Sequence, residues 1–300
     1  MTVPTDPLAR MRQLASNVTW RESLGKAVDI IVAFNDSGTS VPLYCVHSLS
    51  GKATDYGRLA MLLGPRQPFF AIQLPVQNRD ETFGGALGQV SIPHIARHYV
   101  EALEQFQPDG PLALAGWSYG VIIALEMAQQ LAARGRDIAL LVAFDLAPLN
   151  VAAGTGGPTY KIDLARNALP WLMNHRLIKK RAFAQFGARM LLKRPAKAAP
   201  SEDRIENHVD PANYPPAHAR LMQKLLDAAA LYVPQTYGGR VQAYAAVSEV
   251  SFAAFAQMKR TWQAIAPNAH TLLVAGTHRS MIEEPDGRRM ARHLAALLAR

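Results

Sequence analysis

The segment PLALAGWSYGVIIALEMAQQLAARG at positions 111–135 decides the fold. Its first seven residues are a continuous apolar run of strand length, and residues 119–135 read as a helix that stops at Gly135. Between them lies GWSYG (116–120), with a glycine two residues before and two residues after the serine. A tight turn that leads from a strand directly into a helix would project the Ser118 hydroxyl from the edge of a sheet.

Similar apolar runs of strand length occur on both sides of this segment, and helix-like stretches separate them. The strand-like runs are 29–34, 41–46, 68–74, 137–144, 239–247 and 270–276. The helix-like stretches are 91–106, 251–266 and 284–300. Alternation of helices with fully apolar strands predicts an α/β fold whose mostly parallel sheet has helices on both faces.

The alternation breaks shortly after Asp145, where GTGGP opens a proline-containing, basic stretch. We therefore predict an N-terminal arm and first strand (1–40), a first part of the core (41–149), a helical basic insertion (150–232) and a second part of the core (233–300).

Composition excludes several protein classes. A hydrophobic fraction of 49% is too high for a disordered chain, and a single cysteine excludes both a disulfide scaffold and a CxxC zinc site. No apolar run approaches the roughly 18 residues that a membrane span needs, and the first residues lack the apolar stretch of a signal peptide. A cytoplasmic protein is expected.

The net charge of +9 is concentrated in one segment. Residues 151–200 contain ten Lys and Arg side chains and one acid, so this segment carries 10 − 1 = +9 and the remainder is neutral. This distribution argues against nucleic acid as a general partner and indicates a local anionic partner. Lys179, Lys180 and Arg181 are adjacent and are candidates for that contact; an anionic membrane surface is a less favoured alternative.

A nucleophilic serine needs a base and a group that orients the base. A helix of about 17 residues after Ser118 descends about 25 Å, and the next strand returns by about the same distance, so Asp145 reaches the same sheet edge. The same reasoning places His278 there, although a capping aspartate and a loop histidine are the alternatives. Five other histidines are expected to lie inside elements or at their wrong ends: His47, His94, His98, His270 and His293.

The loop VHSLSG (46–51) follows an early strand and is the candidate for half of an oxyanion hole. Leu49 is the expected backbone N–H donor of this loop, and Tyr119 the expected second donor, although an ordinary turn would need the same glycine. Cys45, inside the preceding strand, is expected to be a small buried side chain and not a nucleophile.

The chain resembles the thioesterase domains that release products from nonribosomal peptide, polyketide and fatty acid synthases, which have the α/β-hydrolase fold. The matching motifs are PLYCVHSLSG with Tyr56, ARHYVEALEQFQPDGPLALAGWSYG, FDLAP, YVPQTYGGRVQAYAA with Trp262, and GTHRSMIEEP. The resemblance implies Ser118 as nucleophile, Asp145 as acid and His278 as base. It also implies that the basic insertion forms a helical lid.

The implied activity is release of an acyl, polyketide or peptidyl chain from a phosphopantetheine thioester, by hydrolysis or cyclisation. No metal or bound cofactor is expected, because the phosphopantetheine arm enters with the substrate, and an acyl or peptidyl carrier protein is the expected partner. Arg279 stands where the family tends to an aromatic residue. It is expected near the mouth of the site, where it would favour acyl groups that carry a carboxylate or another acceptor, and a solvated loop arginine is the alternative. A general carboxylesterase or lipase and a non-catalytic binding module of the same fold are the alternatives.

Overall fold

The protein is described here from a computed structural model that covers residues 30–75, 90–148, 150–151, 210–248, 250 and 252–299. The predicted arm at 1–28 and the basic side chains of Lys179, Lys180 and Arg181 lie outside these residues. The proposed division into arm, core and lid therefore stays a prediction.

Seven strands form one sheet, and each overlaps one of the predicted apolar runs. They are β1 (Ile31–Asn35), β2 (Leu43–Val46), β3 (Phe69–Ile72), β4 (Leu112–Trp117), β5 (Ile138–Phe144), β6 (Val241–Ala246) and β7 (Ala269–Val274). The spatial order is β1-β3-β2-β4-β5-β6-β7, and β1 is antiparallel to β3 while the other neighbours are parallel. The predicted, mostly parallel α/β sheet is thus confirmed, with β4 at its centre.

Helices cover both faces of the sheet. They are α1 (Gly57–Leu63), α2 (Ile92–Phe106), α3 (Gly120–Ala133), α4 (Pro216–Leu231), α5 (Phe252–Ile265) and α6 (Gly287–Leu298). Side chains of α2, α3, α4 and α5 share one buried cluster, and those of α1 and α6 share a second. Among the described helices, none is both long and apolar enough to cross a membrane.

The central strand divides its side chains between these two clusters. Leu112 and Leu114 join the first cluster, whereas Ala113, Ala115 and Trp117 join the second. This alternation is the period-two pattern of a strand buried on both faces. Because every residue of β4 is buried, the position of the turn that follows it is fixed by packing.

Helix α1, which follows a short 3-10 turn at Ala53–Tyr56, was not predicted. Its seven residues form only two turns, so the chain offers too few positions for a helical repeat to be recognised. Helix α1 packs against α6, and both cover the second face of the sheet.

The turn after β4 is packed closely against the end of β2. A Cβ atom on Gly116 would collide with the backbone of Gly120, and a Cβ on Gly120 would collide with the carbonyl oxygens of Val46 and His47. All of these obstacles are backbone atoms, which cannot rotate away. Both glycines of the GWSYG motif are therefore required, because there is no room for a side chain at either position.

We expect Gly120→Ala to destabilise the fold by about 1–3 kcal/mol, because the new methyl group forces α3 away from β2. The measurement is the thermal unfolding midpoint, which should fall by about 2–5 °C. Gly238→Ala is the matched control, since a Cβ at Gly238 meets open space. Equal midpoints for the two variants would contradict the close packing.

Candidate active site

Ser118 lies in the turn between β4 and α3, as the motif predicted. Its φ is 55°, in the left-handed region that serine rarely adopts. The Ser118 N–H donates to the Phe144 carbonyl at 3.0 Å, and its own carbonyl accepts from the Val121 N–H at 3.0 Å. A strained, fully hydrogen-bonded backbone between a strand and a helix is the arrangement that exposes a serine hydroxyl at a sheet edge.

Asp145 and His278 are in direct contact. Oδ2 of Asp145 lies 2.8 Å from Nδ1 of His278, and Oδ1 accepts from the Ala246 N–H at 2.7 Å. The carboxylate side chain is only 8% exposed, whereas the imidazole is 36% exposed. One oxygen of the Asp145 carboxylate is therefore held by the backbone of β6, and the other orients the His278 ring. That ring reaches the surface, and its Nε2 lies on the edge that faces away from the carboxylate.

The register of the sheet brings the Ser118 and Asp145 backbones side by side. Trp117, the last residue of β4, pairs with Phe144, the last residue of β5. His278 follows β7 at the same edge, and the chain reaches it through Gly276, whose φ is +97°. The structure thus brings the three predicted residues to one edge of the sheet, at the carboxyl ends of β4, β5 and β7.

Trp117 links the serine turn to the histidine loop, a role that sequence reasoning missed. Its indole stacks on the His278 ring with centroids 5.1 Å apart, and its Nε1–H donates to the His278 carbonyl at 2.8 Å. The residue preceding Ser118 therefore fixes both the ring and the backbone of His278. No local sequence signal indicates this contact, because it joins segments that are 161 residues apart in the chain.

The loop after β2 presents Leu49 beside this edge. In the described part of the chain, neither the Leu49 N–H nor the Tyr119 N–H donates to a main-chain acceptor. The side-chain hydroxyls of Ser48 and Ser50 both donate to the Asp55 carboxylate at 2.6 Å. The loop is thus held in shape by its own side chains while these two N–H groups are left available for a ligand oxygen.

Tyr56 joins the ends of β2 and β4. Its buried hydroxyl donates to the Val46 carbonyl at 2.5 Å and accepts from the Trp117 N–H at 2.9 Å. Burial raises the pKa of Tyr56 well above its ordinary value, so the hydroxyl keeps its proton. The loop carrying Leu49 and the turn carrying Ser118 are therefore tied together at their bases.

The expectation for His47 was wrong. This residue directly follows β2, at the same sheet edge as Ser118, and it is fully buried. Its ring nitrogens lie 2.6 Å from the Ser48 carbonyl oxygen and 2.8 Å from the Tyr99 hydroxyl. The sequence-based prediction grouped it with histidines inside elements or at their wrong ends, although it lies in the loop VHSLSG (46–51) that follows the predicted strand.

Other candidate residues have different surroundings. Arg279 is 69% exposed and pairs with Glu283 at 3.3 Å, so its role toward substrate stays a prediction. Cys45 is fully buried, and burial raises the pKa of its thiol well above the ordinary value, as suits a core side chain. Within the described ranges, no cluster of His, Cys, Asp or Glu could hold a metal ion.

A serine at a strained strand-to-helix turn, with an aspartate–histidine pair formed by the residues that follow β5 and β7, defines the α/β-hydrolase class on this sheet. Residues 41–164 match the family model described as Thioesterase domain. The resemblance predicted from the sequence is thereby confirmed for this part of the chain. The match includes Ser118 and Asp145, and His278 lies beyond it.

The chain is related to proteins of nonribosomal peptide synthesis. It is 31% identical over 123 residues to a dimodular nonribosomal peptide synthase of Bacillus subtilis (strain 168), covering 41% of this chain and 5% of that protein. It is 36% identical over 111 residues to indigoidine synthase of Dickeya dadantii (strain 3937), covering 37% of this chain and 7% of that protein. The chain thus spans a small fraction of these relatives.

Solved structures support the fold over a longer range. The NocB thioesterase domain from the nocardicin cluster, in covalent complex with a fluorophosphonate nocardicin G analog, is 25% identical with a TM-score of 0.59, over 90% of this chain and 100% of that one. The thioesterase domain that cyclises the lipopeptide surfactin is 15% identical with a TM-score of 0.55, over 91% and 97%, which shows the fold alone. The α/β-hydrolase fold predicted from the sequence is confirmed.

We expect Asp145→Asn to keep the fold and to lower kcat for an acyl thioester by about 10⁴-fold. The asparagine retains an oxygen for the Ala246 N–H, but its amide N–H₂ faces Nδ1 of His278 and moves the ring proton to Nε2. Steady-state kinetics and thermal unfolding on the same preparations measure both effects. The control is Asp227→Asn on the exposed face of α4, and a loss below tenfold in Asp145→Asn would contradict the role of the pair.

Proposed function

We propose that this chain is a serine thioesterase that releases an acyl, polyketide or peptidyl chain from a phosphopantetheine thioester. The contact between Asp145 and His278, at the sheet edge where Ser118 occupies its strained turn, is the observation that carries the proposal. The thioesterase family match and the relatedness to peptide synthetases support a thioester as the bond that is cleaved.

Ser118 would act as the nucleophile. His278 takes the hydroxyl proton on Nε2 while Oγ forms a bond to the thioester carbon, and the carbonyl oxygen becomes an oxyanion. Asp145 stabilises the imidazolium that results, because its Oδ2 already accepts from Nδ1. Collapse of this intermediate breaks the C–S bond, and His278 returns the proton to the leaving thiolate.

The acyl group remains on Ser118 as an ester after the thiol has left. A water molecule, or a hydroxyl or amine of the acyl chain, then attacks this ester while His278 again accepts a proton. The bond between the acyl carbon and Ser118 Oγ breaks, and His278 returns the proton to Oγ. Attack by water gives a free acid, and attack by the chain's own group gives a ring. Both outcomes use the same three side chains, so the proposal includes hydrolysis and cyclisation.

The Leu49 and Tyr119 N–H groups would bind the oxyanion. Tyr119 immediately precedes α3, so the positive end of the helix dipole adds to its N–H. One donor of this kind is typically worth about 10²–10³ in rate. Both groups are ready to donate because their loops are held by other contacts, namely Tyr56 and Asp55.

A carrier protein is the proposed partner. The relatives are synthetases, and the ten cations of residues 151–200 suit an acidic docking partner or the phosphate of the phosphopantetheine arm. A membrane surface and solubility alone are the competing explanations for the same charge. The cytoplasmic location expected from the sequence stays a prediction.

We expect Ser118→Ala to abolish turnover and labelling by a fluorophosphonate probe without lowering the unfolding midpoint, because the change removes only the hydroxyl of a half-buried side chain. Intact mass should show the probe on the parent protein and none on the variant. Residual activity within tenfold of the parent would contradict the assignment. Comparing the turnover rate of an acyl thioester with that of its matched oxygen ester separates a thioesterase from a general esterase. Absence of probe labelling on the parent protein would favour a non-catalytic binding module.

Turnover of a carrier-bound substrate should slow as ionic strength rises from about 0.01 to 0.5 M, across which the Debye length falls from about 30 Å to a few Å. A small neutral thioester is the matched control and should change little. Replacement of Lys179, Lys180 and Arg181 by Glu should lower kcat/KM for the carrier-bound substrate alone. An unchanged kcat/KM in this triple variant would exclude docking through these residues, and the triad would be unaffected by that result.

A further inference from the structure

The imidazole of His47 is a buried titratable group in the proposed oxyanion loop, and the mechanism assigns it no role. Its ring is enclosed completely and stands edge-to-face against Tyr99 of α2. Nδ1 lies 2.6 Å from the Ser48 carbonyl oxygen, and Nε2 lies 2.8 Å from the Tyr99 hydroxyl. The ring therefore connects the loop after β2 to a helix on the face of the sheet.

These contacts define which nitrogen carries the proton. A carbonyl oxygen can only accept, so Nδ1 must donate to Ser48, and Nε2 then accepts from the Tyr99 O–H. Burial lowers the pKa of His47 to about 4, with the Ser48 carbonyl opposing that shift. At neutral pH the ring is thus an uncharged donor in a single tautomer.

The Ser48 carbonyl belongs to the same peptide unit as the Leu49 N–H. A trans peptide is planar, and its C=O and N–H point in opposite directions. The Ser48 oxygen also accepts from the Gly51 N–H at 3.0 Å. Two donors on one side of this peptide therefore determine the direction in which the Leu49 N–H points on the other side.

Other contacts of the loop act on different groups. Asp55 accepts from the hydroxyls of Ser48 and Ser50, and His218 of α4 places Nε2 3.0 Å from the Ser50 carbonyl oxygen. These contacts hold the serine side chains and the Ser50–Gly51 peptide unit. Among the described side chains, His47 is the one that contacts the carbonyl of the Ser48–Leu49 peptide.

We propose that His47 is a positioning residue of the oxyanion hole, which orients the Ser48–Leu49 peptide by donating from Nδ1 to the Ser48 carbonyl. The proposal rests on the proposed function, since it requires an oxyanion at the Leu49 N–H. It requires a lower kcat with an almost unchanged KM when the donor is lost, because the oxyanion exists in the transition state and not in the bound substrate.

The test compares His47→Leu with His47→Asn. The asparagine amide nitrogen stands close to the position of Nδ1 and can still donate to Ser48, whereas leucine has a similar volume and no donor. Both variants lose the hydrogen bond to Tyr99, so both should be destabilised alike. We expect kcat to fall roughly 10- to 100-fold in His47→Leu, within the range for a lost oxyanion donor, and several-fold less in His47→Asn.

Two further variants separate positioning from stability. Tyr99→Phe leaves the ring in place but removes the partner of Nε2, and it should lower kcat about 3- to 10-fold. Tyr44→Phe is the control, because Tyr44 lies on β2, the strand that precedes His47, and its buried hydroxyl donates to Gln107 at 2.6 Å. It should lower the unfolding midpoint and leave kcat unchanged. If the His47 variants fail to fold, this tyrosine pair tests the proposal alone.

A transition-state mimic supplies a readout that a purely structural role would not move. A trifluoromethyl ketone forms an adduct with the serine whose oxyanion occupies the hole, and the matched methyl ketone binds without an adduct. The affinity for the trifluoromethyl ketone, divided by the affinity for the methyl ketone, should fall together with kcat in His47→Leu and in Tyr99→Phe. An unchanged ratio, or equal kcat in His47→Leu and His47→Asn, would overturn the proposal.

Ser118→Ala, measured with the same substrate, distinguishes a failure of the proposed function from a failure of the positioning role of His47. If it remains active, the proposed function fails and the positioning role fails with it. If it is inactive while His47→Leu and Tyr99→Phe turn over at the parent rate, the positioning role alone fails.

Discussion

The close approach of Gly120 to the end of β2 is the constraint on which the site depends. Helix α3 can begin directly against the Val46 and His47 carbonyls because position 120 has no Cβ. This contact brings the Tyr119 N–H and the loop that carries Leu49 to the same point at the sheet edge. A side chain at that position would force the turn that carries Ser118 and Tyr119 away from the loop that carries Leu49.

The strained serine is stable because its surroundings are fixed. A left-handed φ in a non-glycine residue costs about 1–3 kcal/mol, and Ser118 and Asp145 both have one. Both follow strands whose ends are buried, so the adjoining backbone has no room to relax. Tyr56 and Trp117 add contacts across the ends of the strands and hold the loops around these two residues in place.

The sequence predicted those parts of the site that follow from the order of strands and helices along the chain. Apolar runs fixed the strands, and the return of each strand to one edge placed Asp145 and His278 with Ser118. Contacts between distant segments could not be predicted, because no local pattern indicates that Trp117 would meet the His278 backbone or that His47 would meet Tyr99. The antiparallel pairing of β1 with β3 was missed for the same reason, because it depends on tertiary packing. The helix α1 was missed because its seven residues are too few to show a helical repeat.

A neutral histidine suits the position beside the oxyanion loop better than a permanent cation. A buried lysine or arginine would need a counter-charge, and the nearest carboxylate, Asp55, already accepts from two serine hydroxyls. An imidazole offers one donor and one acceptor in fixed directions, which match a carbonyl on one side and a tyrosine hydroxyl on the other. The orientation of the Leu49 N–H is thereby linked to α2, outside the loop itself, and residues of that helix become part of what determines the rate.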